Sequence, residues 1–179
     1  MDATALFAEH KDAVCAEWVT KVYATYPLDT KGFLRTQSDP FLNPVGDMTH
    51  ECAQFLYAAL SGADMDGNEL ESGLERFVRL RAVQDFSPSK SLAVLFVMKD
   101  IARELLLPQF EKTGLTAEYL EAESRLDTVA LMAFDMYAKN REVLLEQRIL
   151  EIKNQHAQLV RWAQTVDGGP AGGSGEHKL

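Results

Sequence analysis

Residues Phe77–Asp100 read FVRLRAVQDFSPSKSLAVLFVMKD, and this stretch decides the fold. A charged helix end, RLRAVQDF, runs into Ser87-Pro88-Ser89. A serine side chain can accept from the free N–H groups of a new helix, and proline at the first helical position gives up a donor that has no helical partner there. Leu92, Val94, Leu95, Phe96, Val97, Met98 and Ile101 then leave almost no polar face. A helix apolar on nearly all sides must be surrounded by other helices. The stretch therefore predicts an all-α domain built around a buried helix from Pro88 to about Leu107, closed by Pro108.

Towards the N-terminus the same logic gives three earlier helices. One runs from about Thr4 to Tyr26, with Val14, Trp18 and Val22 at i, i+4 spacing and Cys15 and Val19 beside them, and Pro27 ends it. A second starts at Asn43-Pro44 and carries Val45, Met48, Cys52, Phe55, Leu56 and Ala59 as its apolar stripe up to Ser61-Gly62. A third starts at Asn68, with Glu71 placed as in a capping box and Leu70, Leu74, Phe77 and Val78 facing inward. The connection Leu28–Leu42 is expected to lack regular structure and to be pinned by Phe33, Leu34, Phe41 and Leu42, as a lid on the core or as a functional loop.

Beyond Pro108 a fifth helix begins near Thr116 and meets no stop until after Thr165. About 50 residues at ~1.5 Å each would span roughly 75 Å. Leu126, Val129, Ala130, Met132, Ala133 and Phe134 can pack on the core. Leu145, Ile149, Ile152, His156, Leu159 and Ala163 fall at 4-3-4-3-4 spacing, the seam of a coiled coil. Leu145, Ile149, Ile152, His156 and Leu159 are the candidate dimer seam. Two readings stand: self-association through this seam, or an amphipathic helix folded back on its own domain. His156 in the seam either fixes register or makes pairing pH-sensitive. The organisation expected is a helical body over residues 1–140, a coiled-coil-like extension over 141–165 and a disordered Gly-rich tail over 166–179.

The 179 residues suit one domain plus an appendage, and 46% hydrophobic with 25% charged residues is ordinary for a globular protein. A net charge of −9 argues against nucleic acid and anionic membrane surfaces, both of which need a basic face. The longest apolar run, about Leu92–Met98, is far below the ~20 residues of a membrane span. The N-terminus has acidic residues where a signal peptide needs basic ones. Cytoplasmic localisation is expected, with Cys15 and Cys52 as buried, reduced thiols.

Three blocks carry a family resemblance: Phe41–Gly46 (FLNPVG, preceded by Asp39-Pro40), Arg79–Ser87 (RLRAVQDFS) and Pro88–Leu106. Together they resemble the N-terminal sensor domain of the RsbRD subgroup of RsbR-type stressosome proteins, over about residues 5–145. The resemblance implies a globin-like helical bundle without haem, dimeric, feeding a linker helix into a STAS domain. The chain departs from that plan after the linker-like helix, so the expectation is a sensor or adaptor module on its own, without the STAS output.

The search for chemistry is mostly negative. None of His10, His50, His156 or His177 has a Glu three residues before it, as a di-iron bundle would need. Cys15 and Cys52 lack C-x-x-C partners, so no zinc site is expected. His50 reads as an exposed histidine rather than a haem ligand. Arg79, Arg81, Gln84 and Asp85 form the polar cluster nearest the buried helix. There Arg81 either binds a carboxylate ligand or pairs with Asp85 at i, i+4. No catalytic constellation and no cofactor are expected. Two function classes remain: a signal-input or scaffold module, homodimeric and acting on a protein partner in signalling, or an accessory subunit docking on a respiratory or electron-transfer complex.

Overall fold

The computed structural model describes residues 2–37, 39–64, 66–84 and 86–167, the last four by backbone alone. Among the described residues all regular structure is α-helical, in seven helices: α1 Ala3–Ala24, α2 Leu28–Thr36, α3 Pro44–Ser61, α4 Gly67–Val83, α5 Pro88–Leu105, α6 Leu107–Thr113 and α7 Thr116–Asp167. The all-α class and the long last helix hold. The chain divides into two compact units, Met1–Arg141 and Glu142–Leu179.

In the first unit α1 packs against α3 and α5, and α3 against α4. Asp2 opens α1 by accepting from the Ala5 N–H at 2.8 Å, relieving one of the free donors at that end. Val14, Trp18 and Val22 are wholly buried, as their i, i+4 spacing requires. The Trp18 ring lies 5.6 Å from Phe77 of α4, and its Nε1 donates to the Val94 carbonyl of α5 at 2.7 Å. One side chain thereby joins three helices. At the other end Phe110 of α6 stacks on Phe7 at 4.9 Å and Tyr119 at 5.7 Å. Tyr57 donates from α3 to the Phe7 carbonyl at 2.6 Å.

Several expectations are corrected. The connection Leu28–Leu42 contains α2, whose single buried residue is Leu34; Phe33, Phe41 and Leu42 are exposed rather than pinned. A nine-residue helix with a glycine inside it leaves too short a pattern for periodicity to register. The charged helix end expected over RLRAVQDF stops at Val83, with Gln84 extended, and the cap of α4 is Asp66, which accepts from the Asn68 N–H, and not Asn68 itself. The stripe of α3 is rotated: Thr49, Cys52, Ala53, Leu56, Tyr57 and Leu60 are buried, while Val45, Met48, Phe55 and Ala59 are only partly so. Phe55 instead lies over Gly73 of α4, where any Cβ would overlap its ring.

The α5 helix is buried along one side only, at Ser91, Val94, Leu95, Met98, Ile101 and Ala102, and Phe96 is half exposed. Its apolar run exceeds the face its neighbours cover. Pro108 does not merely close α5: it lies in the first turn of α6, a helix the sequence reading lacked. In α7 the inward residues up to Tyr137 include Tyr119, Ala122, Leu126, Val129, Ala130 and Ala133, whereas Phe134 is exposed.

The second unit is helical from Glu142 to Asp167 among the described residues, two residues past the expected end at Thr165. The expected tail from 168 onward lies outside the described residues.

Candidate functional site

Both sequence blocks with the densest motif content turn out to be joints between helices. In the first, Asn43 is buried at the start of α3, and its Oδ1 accepts from the Gly46 N–H at 2.8 Å. Its amide donates to the carbonyls of Leu34 at 3.2 Å and Gln37 at 2.8 Å. One carboxamide therefore caps α3 and holds the end of α2 against it. Gly46 has to be glycine, because a Cβ there would overlap the Asn43 side chain. Pro44 supplies the pre-set φ of the first turn. The N-P-V-G sequence is thus a single device.

The second joint gathers the predicted polar cluster. Arg81 is fully buried. It donates to Thr25 Oγ1 at 3.2 Å and to the Lys90 carbonyl at 3.1 Å. Its guanidinium lies 4.0 Å from the Phe86 ring centre and 5.5 Å from that of Tyr26, and these two rings meet edge to face. Tyr26 donates to Gln84 Oε1 at 3.0 Å, and Ser91 donates to the Arg81 carbonyl at 3.4 Å. Arg81 and Gln84 are therefore brought together at the meeting of α1, α4 and α5. Arg79 is exposed, and Asp85 lies outside the described residues, so the Arg81–Asp85 pairing does too. A buried arginine held by a hydroxyl, a carbonyl and two ring faces uses its planar cation to rivet three helix ends.

Sequence reasoning missed a third cluster, because its members are distant in the chain. Glu123 of α7 is buried and accepts from Arg103 of α5, Nε at 3.1 Å, while Lys99 sits 3.3 Å away. Lys99 also donates to Asp127 at 2.7 Å. The hydrogen-bonding Arg103 holds the Glu123 carboxyl below the usual carboxylate range, with Lys99 adding to the effect and burial opposing it. Asp127 and Glu123 in turn raise the Lys99 ammonium. Positions 99, 103, 123 and 127 lie at i, i+4 on each helix, which is the one signal that could have suggested a paired ladder. Arg125 adds a second tie, donating to the carbonyls of Ala59 at 3.1 Å and Leu60 at 2.8 Å at the end of α3.

The thiols of Cys15 and Cys52 are free and buried. Burial pushes the Cys15 thiol up to about 11 and raises that of Cys52 further, so neither is a ready nucleophile. His50 is exposed beside Tyr23, ring centres 6.3 Å apart. Among the described residues no group of three His, Cys, Asp or Glu side chains could hold a metal ion, and no helix is long and apolar enough to cross a membrane.

Within the second unit the predicted seam residues Leu145, Ile149, Ile152 and Leu159 are each more than half exposed, and His156 is exposed with them. Leu150 and Trp162 add to the exposed apolar surface there.

A family model described as the RsbT co-antagonist protein rsbRD N-terminal domain matches residues 12–152, a span that includes both joints. No curated protein and no solved structure matches the chain.

Proposed function

Since the chain belongs to the RsbT co-antagonist protein rsbRD N-terminal domain family, a regulatory family of stressosome-type sensors, we propose that it is a signal-input or scaffold module acting through protein–protein contacts. Residues up to Arg141 are the sensing body, with a globin-like arrangement of helices. Residues 142–163 are the contact surface, through which two copies pair in a parallel or antiparallel coiled coil. The observation that carries this reading is the row of exposed apolar residues Leu145, Ile149, Ile152 and Leu159, spaced by four, three and seven residues as in a heptad seam. Burying a leucine or isoleucine side chain is worth about 1.5–3 kcal/mol, so leaving four in water is costly unless a partner covers them.

Signal transfer is conformational. A change in the body that moves α5 reaches α7 through Arg103, Lys99 and Glu123, and the register of the pairing helices reads out the state. His156 in the seam tunes that pairing. The test is sedimentation of the full chain across the micromolar range, beside the double variant Ile149→Glu with Ile152→Glu. A dimer that the double variant converts to monomer supports the reading. A wild-type monomer throughout that range removes it.

A further inference from the structure

Residues 142–163 present their apolar seam to water, and the charges beside the seam discriminate between the ways two copies can lie together. We propose that the copies pair antiparallel, with Ile149 of each against Ile152 of the other and Glu146 of each beside Lys153 of the other. The proposal deepens the self-association reading and rests on it.

The register follows from the spacing. Ile149 precedes Ile152 by three residues, so Ile149 and His156 take a positions and Leu145, Ile152 and Leu159 take d positions. Glu146 and Lys153 each follow a d residue and are e positions. Arg141, Arg148 and Gln155 each stand just before an a position and are g positions. Glu146, Arg148 and Lys153 are exposed, and no ion pair among the described residues includes them.

In a parallel pair each g residue meets the next e residue of the other copy. Arg148 then meets Lys153, a like-charge contact made twice. The offsetting contact is Arg141 with Glu146, but the Arg141 guanidinium already donates to the Ala82 carbonyl at 3.2 Å. The two His156 rings also share one layer, and polar groups in the seam cost stability.

In an antiparallel pair a faces d, e faces e and g faces g. Setting Ile149 against Ile152 brings Leu145 to His156, Glu146 to Lys153 and Arg148 to Gln155, each contact made twice by the two-fold symmetry. None of these contacts joins like charges. Sliding the copies by one heptad sets Lys153 against its own counterpart in one direction and Glu146 against its own counterpart in the other. Charge complementarity therefore selects the register as well as the orientation. The cost falls at the two ends, where Leu159 faces Glu142 instead of an apolar residue.

The test is sedimentation of the full chain in about 0.15 M salt, where a Debye length of about 8 Å screens the net charge but spares contact pairs. Wild type is compared with Lys153→Glu and with the double exchange Glu146→Lys, Lys153→Glu. In the antiparallel pair Lys153→Glu turns two attractions into two repulsions, so dimerisation should weaken about three- to tenfold, and the double exchange should restore it. A parallel pair responds with the opposite sign, because Lys153→Glu turns the clash with Arg148 into an attraction. Tightened or unchanged dimerisation in Lys153→Glu, or a double exchange weaker than the single one, overturns the orientation and leaves self-association standing. A wild-type monomer removes both. Leu159→Cys gives a second readout under mild oxidation. It should stay unlinked, since the two positions lie apart in the antiparallel pair and Cys15 and Cys52 are buried. Rapid formation of a disulfide-linked dimer overturns the proposal.

Discussion

Two regions of this protein carry apolar residues at helical spacing and treat them in opposite ways. In the first unit Val14, Trp18, Val22, Cys52, Leu60 and Met98 have no exposed surface. In the second, every residue of the seam stands in water. The difference teaches that periodicity identifies a face but does not say what covers it. Within the body the covering surface is another helix of the same chain, found through ties such as the Trp18–Val94 bond. For residues 142–163 the proposed covering surface is a second copy of the chain.

That contrast can be broken or sharpened by substitution, starting where the effect should be greatest. Trp18→Ala removes a fully buried ring and its hydrogen bond to Val94, and should cost about 3–5 kcal/mol, read as a large fall in the thermal or urea midpoint. A midpoint within a degree of wild type would show that the body is not organised around that side chain. Gly46→Ala is next. Its methyl displaces the Asn43 carboxamide and with it three hydrogen bonds, for about 2–3 kcal/mol by the same measurement.

Glu123→Gln should cost about 1–2 kcal/mol near neutral pH. Its pH dependence has a definite sign. The carboxyl is held below its ordinary value of 4.5 in the folded state, so the contribution is present in full above that value and is lost as pH falls through the folded one. The gap between wild type and Glu123→Gln should therefore close on acidification through this window, and a gap constant down to pH 3 would contradict the ion-pair account. Smallest of all is the effect of Ile149→Glu with Ile152→Glu on the melting of the body at a concentration where the chain is monomeric. It should stay within about 0.5 kcal/mol, because neither residue is part of the core. A large loss of stability there would mean that these residues are covered within the chain after all.

Much of the fold was legible because its signals are local. Asn43-Pro44 and Ser87-Pro88 mark helix starts by cap chemistry, and Trp18, Leu74, Phe77 and Met98 mark inward faces by spacing. Less of the candidate site was legible. Arg81 stood out as a polar residue beside an apolar helix, but its partners Thr25 and Lys90 are 56 and 9 residues away in the chain. The Glu123 ladder showed only as i, i+4 spacing within each helix, with nothing to pair the two helices, and the unpartnered Tyr23 hydroxyl gave no local sign.

The amino-acid order alone thus determined an all-helical chain, where most helices begin, which residues of α1 and α4 face inward, and the heptad rhythm near its end. Those follow from hydrogen-bond needs and side-chain periodicity within a few turns. Tertiary structure decided that Leu28–Thr36 is a helix, that α5 is covered on one side only, and that Asn43 and Arg81 act as joints. It also decided that the Tyr23 hydroxyl is buried without a hydrogen-bond partner. Each of these depends on which surfaces meet across tens of residues, and no spacing rule along the chain carries that information.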